Sequence, residues 1–344
     1  MGMYDHLTYD EQVEMVRRRI DSIENCDGLF SDAERKEDER ELFFGSHMDE
    51  RHSGLSEEDL IHRMLHDKIT GASTYDSPEV AHEIVREFLW AEADKIVHFI
   101  NMSNLDQPVI NGKKLEIETE IMEGKPVKKL ICTGEIEAED PEMHPFAGKG
   151  ITNDFRFMGS NTSKMVIVKA SMNELGFRVL TCMPDVHKGT QLEPRSATLA
   201  KVNKLLLEDR ELSPAQKTMW LYRQKGYHSS VSKNGYLFVR FQHGQHTFSM
   251  ALSPYNPYYE PKVSLVKTLP NGKTEHIKLE DATKKPEVID MIMKKAKSVK
   301  AEIYDRAMNG KMKEVCDEIV SDERKNEKDT QNRDTQNRND QDIG

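Results

Sequence analysis

Three residues, His52, Arg63 and Thr181, carry side chains that together can act on a phosphodiester. Histidine is suited to take a proton from a ribose 2′-hydroxyl, because its unperturbed pKa lies near neutrality. The guanidinium fork of arginine matches phosphate oxygens and can stabilise the charge that develops at phosphorus. A threonine hydroxyl can hydrogen-bond a phosphate or a base edge. These residue types predict phosphate chemistry that needs no metal ion and no cofactor.

The spacing of these residues leaves alternatives open. His52 and Arg63 flank the start of a helix, so a chain that folds back there can bring both toward one cleft. Thr181 and Met183 lie at i and i+2 of an expected strand and therefore share a face. The chain has 13 histidines. Spacing alone does not distinguish His52 from an exposed loop histidine, or Arg63 from a solvated helix arginine.

Residues 46–190 read as helices followed by strands. Ser56 precedes three acidic residues in a pattern typical of a helix start, and Ser77-Pro78 opens a long apolar helix that reaches Ile100. The period then changes to two, which predicts strands at 115–121 and 127–136, followed by a polar loop at 137–162. Strand-like residues at 166–168 and 177–181, with a turn at 173–176 between them, predict a hairpin. This order predicts an α+β domain with an antiparallel sheet.

A second small α+β unit is expected at residues 195–310, after an N-terminal helical segment and charged linker at 1–45. Its helices are predicted at 197–209, 214–225 and 286–308, and its strands at 236–241, 247–252, 262–269 and 276–279. A meander is the simplest topology for those strands. The last segment, 311–344, is polar, contains the repeat DTQNR twice and is expected to be disordered.

The formal net charge of −11 is unevenly distributed. Residues 1–45 carry a net charge of −7, 46–190 of −9, 191–310 of +8 and 311–344 of −3. The basic segment either attracts phosphate or is a solvated lysine-rich surface. An aromatic and proline-rich run at 254–261 in the same unit is either a partner-binding loop or a rigid turn with packed tyrosines.

The cellular setting is predicted from what the sequence lacks. No stretch of 18 or more apolar residues occurs, and the N-terminus has no apolar signal region, so neither a membrane span nor secretion is expected. The four cysteines are far apart and lack CxxC pairs, which argues against a disulfide framework and a zinc ribbon. We expect a reducing cytoplasm, in the producing cell or in a target cell, and no membrane partner.

Residues 46–190 resemble the bacterial RNase A-like toxin domain of contact-dependent growth inhibition proteins. That family shows a histidine, a Leu-x-x-Arg helix, an alanine-serine-threonine-aromatic-aspartate turn and a long helix with an early alanine. It ends with a strand that reads like val-leu-Thr-x-Tyr-Pro. The matching features here are His52, Leu60 to Arg63, Ala72 to Asp76, Ala81, and Val179 to Pro184.

The resemblance places the family's functional histidine, arginine and threonine at His52, Arg63 and Thr181. Its tyrosine position is occupied by Met183, whose thioether cannot donate a proton or a hydrogen bond. Tyr75, His144 or His187 could substitute, although an ordinary loop or core position remains the alternative for each of these three residues.

What the resemblance implies is a kidney-shaped RNase A-like fold without disulfides, cleavage of RNA with tRNA as a candidate, and neutralisation by a cognate immunity protein. No DNA partner is expected. The departure at Met183 leaves a second hypothesis open, in which the domain binds RNA or a protein without cutting. The chain could be a free-standing toxin or an intracellular effector.

Overall fold

A computed structural model describes residues 6–21, 51–67, 69, 71–101, 109–110, 113–122, 124–136, 145–169, 177–254 and 256–341. The chain is a mixed α and β protein whose sheets are antiparallel, as predicted. It divides into two compact units. The first comprises Met1–Leu60, Ile69–Thr152 and Phe157–Leu192, and the second Ile61–Lys68, Asn153–Arg156 and Glu193–Gly344.

Within its described residues, the first unit contains an N-terminal helix, two helices in succession, and strands that form three sheets. Its helices are α1 (Tyr9–Asp21), α3 (Pro78–Ala91) and α4 (Ala93–Asn101); α2 (Glu57–His66) begins in this unit and ends in the second. Its strands are β1 (Gly71–Tyr75), β2 (Val109–Ile110), β3 (Lys113–Lys114), β4 (Glu116–Met122), β5 (Lys125–Glu135), β6 (Gly148–Thr152), β7 (Phe157–Ser160), β8 (Thr162–Lys169), β9 (Phe177–Pro184) and β10 (Thr190–Gln191).

The strand order in the first unit is β4-β5-β8-β9 in one sheet, β1-β6-β7-β10 in another and β2-β3 in a two-stranded pair. One face of the β4-β5-β8-β9 sheet packs on the helices. That core includes residues from α1, α3, α4 and the sheet, among them Val16, Val85, Ile96, Leu130, Met165, Ile167 and Cys182. The N-terminal helix, which the sequence assigned to a separate segment, is thus part of this unit's core.

Two helix starts follow the capping rules that the sequence indicated. Ser56 Oγ accepts the backbone N–H of Asp59 at 3.2 Å, while the Asp59 carboxylate accepts the Ser56 backbone N–H at 3.0 Å. Ser77 Oγ accepts the Val80 N–H at 3.3 Å, with Pro78 at the first helical position. The expected single long helix is wrong, since Glu92 leaves the helical conformation (φ −98°, ψ 9°) and separates α3 from α4.

The polar loop predicted at 137–162 is also wrong in its second half, which forms β6 and β7. Gly148 and Gly150 favoured a loop in the sequence, but they lie in β6 because that strand approaches others closely. A Cβ on Gly150 would collide with the Ala72 carbonyl oxygen, and one on Gly148 with Pro184. Residues 72–75, expected in a turn, form β1 and pair with β6.

The second unit contains helices α5 (Arg195–Glu208), α6 (Pro214–Gln224), α7 (Leu279–Ala282), α8 (Pro286–Lys300) and α9 (Met312–Gln341). A π-helical segment, Ala301–Asp305, follows α8, and the chain kinks before α9, where Asn309 and Gly310 leave the helical conformation. Its sheet consists of β11 (Ser229–Val231), β12 (Leu237–His243), β13 (His246–Leu252), β14 (Lys262–Thr268) and β15 (Thr274–Lys278) in sequential order. The meander is therefore confirmed, as are the helices near 197–209 and 214–225.

The expected disordered tail at 311–344 is wrong for most of its length, because residues 312–341 form α9. The start of that helix has an apolar stripe at Val315, Cys316, Ile319 and Val320, all buried. Farther along, Glu327 accepts hydrogen bonds from the backbone N–H and the hydroxyl of Ser196 at 3.0 and 2.6 Å. Composition predicted disorder, whereas four apolar residues at helical spacing pack the segment onto α5. Among the described residues, no helix combines the length and the apolar character needed to cross a membrane.

Candidate functional site

His52 is buried against strand β1 in the first unit. Its exposed fraction is 6%, and its Nδ1 lies 3.0 Å from the Ser73 carbonyl oxygen. A carbonyl oxygen can only accept a hydrogen bond, so Nδ1 carries the proton in this contact. In the neutral ring, Nε2 is then the nitrogen that can take a proton. This tautomer is the one that a general base at position 52 requires.

The backbone around His52 is fixed along β1 by several contacts. Ser53 forms a parallel bridge with Tyr75, and the Gly54 N–H donates to the Tyr75 carbonyl at 3.0 Å. The Leu55 N–H donates to Thr74 Oγ1 at 3.0 Å. Gly54 has a φ of 65°, a conformation that glycine adopts without steric cost. The backbone that follows His52 is therefore held in place by its pairing with β1.

Thr181 lies in β9 immediately after a β-bulge. Val166 of β8 pairs with Thr181, whereas Ile167 pairs with Val179, so Leu180 is the extra residue. The exposed fraction of Thr181 is 9%, and within the part of the chain that the structure describes its Oγ1 has no hydrogen-bond partner. Bulges occur next to active sites, and a buried polar atom without a partner needs an explanation.

The strand pairing places Lys164 beside Met183, at the position where the toxin-domain family has a tyrosine. Lys164 of β8 pairs directly with Met183 of β9. The pair of Val166 and Thr181 lies two residues farther along the strands and therefore on the same face. That face is opposite the one that carries the core residue Cys182. Both Lys164 and Met183 are half-buried. Sequence reasoning missed Lys164, because only the strand register shows that it neighbours these residues.

Tyr75, an auxiliary candidate from the sequence, lies in the core. It is fully buried, and its hydroxyl contacts Ser163 Oγ at 2.6 Å and Cys182 Sγ at 3.2 Å. Burial is the largest cause that raises the pKa of Tyr75 well above 10. The contact joins β1, which holds His52, to β9, which carries Thr181. Tyr75 therefore links the two strands on which the candidate residues depend.

Arg63 lies on α2, and this part of the helix belongs to the second unit. Its Nε is 3.5 Å from the Asp67 carboxylate, and its side chain is 14% exposed. The three predicted catalytic residues therefore fall on two units, with His52 and Thr181 on the first. Their convergence on one phosphate stays a prediction.

Two further auxiliary candidates have different outcomes. His187 is exposed in the 3-10 turn Val186–Lys188 of the first unit. Its Nε2 lies near Gly71, at 3.9 Å from the position that a Cβ there would occupy. His144 falls outside the described residues.

A separate polar cluster in the second unit consists of His62, His66 and Asp209. The two imidazole rings stack with centroids 4.2 Å apart, and His66 Nε2 contacts Asp209 Oδ2 at 2.6 Å. The other carboxylate oxygen, Oδ1, accepts the backbone N–H groups of Glu211 and Leu212, each at 2.8 Å.

The pKa of Asp209 reflects these contacts. Burial acts to raise it, but the hydrogen bonds from the Leu212 backbone, His66 and the Glu211 backbone outweigh burial and lower it from 3.8 to about 2. Sequence analysis did not select this cluster, although His62 and His66 at i and i+4 of a helix are a recognisable signal.

Comparisons with known proteins give one structural similarity. No protein-family model matches the chain, and no curated protein matches it. The crystal structure of the CdiA-CT/CdiI complex from Y. kristensenii 33638 contains a chain that matches with a TM-score of 0.28 and 12% sequence identity. The match covers 40% of this chain and 98% of that one. A TM-score of this size is below the level that indicates a shared fold.

Proposed function

We propose that this protein is a metal-independent endoribonuclease whose general base and phosphate-positioning residue lie in the first unit. The observation that carries the proposal is the buried Thr181 hydroxyl, which lacks a partner among the described residues and follows a β-bulge in β9. A hydroxyl kept in this state can hydrogen-bond a phosphate oxygen of a bound substrate. The RNase A-like assignment itself rests on the sequence resemblance of residues 46–190.

In the proposed reaction, His52 is the general base. Its Nε2 takes the proton of the ribose 2′-hydroxyl, and the 2′-oxygen attacks the adjacent phosphorus. The bond from phosphorus to the 5′-oxygen breaks, which leaves a 2′,3′-cyclic phosphate and a 5′-hydroxyl. Thr181 positions the phosphate, and Arg63 stabilises the charge on the phosphorane oxygens. DNA lacks the 2′-hydroxyl and is excluded as a substrate.

The methionine at position 183 removes a hydrogen-bond donor that the family supplies there. Lys164 lies directly opposite Met183 in the sheet, and its ammonium group is a cation with three donors. We include Lys164 as a phosphate-binding residue that compensates for the missing tyrosine. This residue makes cleavage compatible with Met183.

The biological setting of the proposal follows the resemblance to contact-dependent inhibition toxins. It supports RNA as the substrate, with tRNA as a candidate, and a cognate immunity protein as the partner. The neighbour described above is itself a CdiA-CT/CdiI complex. We propose action in a reducing cytoplasm.

The test is an RNA cleavage assay with the full chain in EDTA. His52→Ala and Arg63→Ala should each lower the cleavage rate by about 10²–10⁴-fold, the usual contribution of a general base or of a preorganised charge. His98→Gln, a change on α4 of the first unit, is the matched control and should cleave at the wild-type rate. Full activity in both alanine variants, or loss of wild-type cleavage in EDTA, would refute the proposal.

A second candidate function is motivated by Met183. In this hypothesis the unit binds RNA or a protein and does not cut. Wild-type protein would then release no cyclic phosphate, whereas Met183→Tyr would gain cleavage. A wild-type rate well above the uncatalysed background excludes this candidate.

A further inference from the structure

The cluster of His62, His66 and Asp209 in the second unit has the composition of a transition-metal site. Each residue offers one ligand atom, and these atoms lie within 4.8 Å of one another. Neutral imidazole nitrogen and carboxylate oxygen are ligands that Zn²⁺ accepts at about 2.0–2.2 Å. Two ligands of one tetrahedral zinc ion are therefore about 3.3 Å apart. The three ligand atoms therefore need to move only slightly closer together to coordinate one ion.

The two histidines are prearranged by the helix that carries them. Residues at i and i+4 lie above one another on one helix face, and the stacked rings of His62 and His66 show this arrangement. The helix face beside them is anchored in the second unit, where the Trp220 indole N–H donates to the Leu65 carbonyl at 3.3 Å. Paired histidines at this spacing are a recurrent zinc-binding arrangement.

Asp209 is prearranged from the other side. It directly follows α5, and two backbone N–H groups hold its Oδ1, so that Oδ2 faces His66. The side chain is only 9% exposed, which limits competition from water. The Glu211 carboxylate lies 3.9 Å from His66 Nδ1. A carboxylate at this distance favours the tautomer that carries the ring proton on Nδ1 and leaves Nε2 for a metal.

We propose that His62, His66 and Asp209 bind one divalent transition-metal ion, with Zn²⁺ as the best match. Three protein ligands leave one tetrahedral position to water. Binding releases the Nε2 proton of His66 to solvent, Nδ1 carries the ring proton, and two metal–ligand bonds replace the hydrogen bond to Asp209. Mg²⁺ is not expected to bind, because it takes oxygen ligands.

The consequence for the protein is a cross-link within the second unit. Residues Ile61–Lys68 join this unit from a distant part of the sequence, and the ion would fasten them to the residues that follow α5. A ligand that binds only the folded state stabilises it in proportion to the logarithm of its concentration over Kd. Zn²⁺ at about 100 times Kd should raise Tm by about 5 °C.

The experiment is calorimetric titration of the untagged, chelator-treated full chain with Zn²⁺, followed by thermal unfolding. One site per chain is expected. His62→Gln and Asp209→Asn should each weaken binding by at least about 10-fold. The new amide side chain of Asp209→Asn keeps an oxygen for the backbone N–H groups of residues 211 and 212, so this variant should fold even if substitution of His66 does not. His246→Gln, which removes an exposed histidine of the same unit, is the matched control and should bind like wild type.

Equal zinc affinity in wild type, His62→Gln and Asp209→Asn would overturn the proposal, as would a Tm shift of the same size with Mg²⁺. Substitution of Co²⁺ gives a second readout, since tetrahedral coordination by this cluster should produce visible absorption bands that His62→Gln loses. None of these measurements involves RNA. Failure of the ribonuclease proposal therefore leaves this test unaffected, and the reverse also holds.

Discussion

Two buried threonines, one in each unit, differ in their hydrogen bonding. In the second unit, Thr218 is fully buried and its hydroxyl donates to the Pro214 carbonyl at 2.7 Å. In the first unit, Thr181 is almost as buried, yet its Oγ1 has no partner within the described residues. A buried hydroxyl without a partner lowers the free energy of unfolding. The unpartnered Thr181 hydroxyl therefore suggests that a ligand or substrate supplies its partner. Burial alone therefore does not show whether a threonine hydroxyl is hydrogen-bonded within the protein.

The candidate sites differ in the same way. Asp209 in the second unit has both carboxylate oxygens occupied, by His66 and by two backbone N–H groups. The face of Thr181, Lys164 and Met183 in the first unit instead combines an unpartnered hydroxyl with a lysine opposite the methionine. In our proposals, the ligands around Asp209 are organised before a metal ion binds, whereas the face of Thr181, Lys164 and Met183 is completed by the substrate. The following predictions test this contrast in order of expected effect.

The largest effect is expected where α9 covers the second unit. Ile319 is 4% exposed, and Ile319→Ala should lower the free energy of unfolding by about 3 kcal/mol, because it removes buried methylene groups and leaves a cavity. Lys328→Ala on the same helix is the control and should change stability by less than about 0.5 kcal/mol. Urea unfolding followed by circular dichroism measures both. If the two variants unfold at the same urea concentration, α9 is not packed as described.

The next effect concerns the lysine that the strand register places beside Met183. Lys164→Met should lower the RNA cleavage rate by about 10-fold, which corresponds to about 1.4 kcal/mol of transition-state stabilisation. Lys149→Met in β6 removes a lysine of similar burial from another sheet of the same unit and is the control. A lysine that binds the transferring phosphate should change kcat more than KM. Equal losses for both lysines would indicate general charge attraction.

A pair of threonine substitutions tests the contrast directly. Thr218→Val should cost about 1 kcal/mol of unfolding free energy, because the Pro214 carbonyl loses its side-chain donor. Thr181→Val should leave stability unchanged or slightly higher, since no described group loses a partner, while RNA cleavage falls. Thermal unfolding and the cleavage assay are run on both variants. A destabilised Thr181→Val with normal cleavage would show that its hydroxyl is structural.

The last prediction, whose effect is confined to alkaline pH, is a pH dependence from the core of the first unit. Burial raises the pKa of Cys182 from 9.0 to about 12, so the folded state keeps this thiol neutral. Below pH 9 both the folded and the unfolded forms hold the proton. Between pH 9 and 12 only the unfolded form releases it, so the free energy of unfolding should fall as pH rises through this window.

Cys182→Ala is the comparison variant for that dependence. Its stability should fall less steeply between pH 9 and 12, as measured by urea unfolding at each pH. The same burial should make the Cys182 thiol unreactive toward a thiol reagent at pH 8 until the protein is unfolded. Rapid labelling of Cys182 in the native protein would contradict the buried position.

Much of the fold could be predicted from local patterns. Period-two alternation located β4 and β5, a hairpin signal located β8 and β9, and the serine caps located the starts of α2 and α3. The failures have a common cause, which is that tertiary contacts overrode local composition. Glycines that indicated a loop were needed for the close approach of β6 to its neighbours. The polar C-terminal segment forms a helix because four of its apolar residues are buried where it packs on α5.

The candidate site was predictable only in part. The residue types at 52, 63 and 181 predict phosphodiester chemistry, and the resemblance to a toxin domain predicts RNA as the substrate class; both stay predictions. The placement of Arg63 in the second unit and the pairing of Lys164 with Met183 were not visible in the chain. Both depend on which strands and segments become neighbours, and a one-residue change of strand register would place Lys164 on the other face.

The amino-acid sequence specifies which groups are available. They are the imidazole of His52, the guanidinium of Arg63, the hydroxyl of Thr181 in a strand, and two histidines one helical turn apart, His62 and His66. The protonation and hydrogen bonding of these groups depend on the tertiary structure. It selected the His52 tautomer through the Ser73 carbonyl, placed the Thr181 hydroxyl in a buried position without a described partner, and brought Asp209 to His66. The reason is physical, because protonation and hydrogen bonding depend on distances of a few ångströms between residues far apart in the chain.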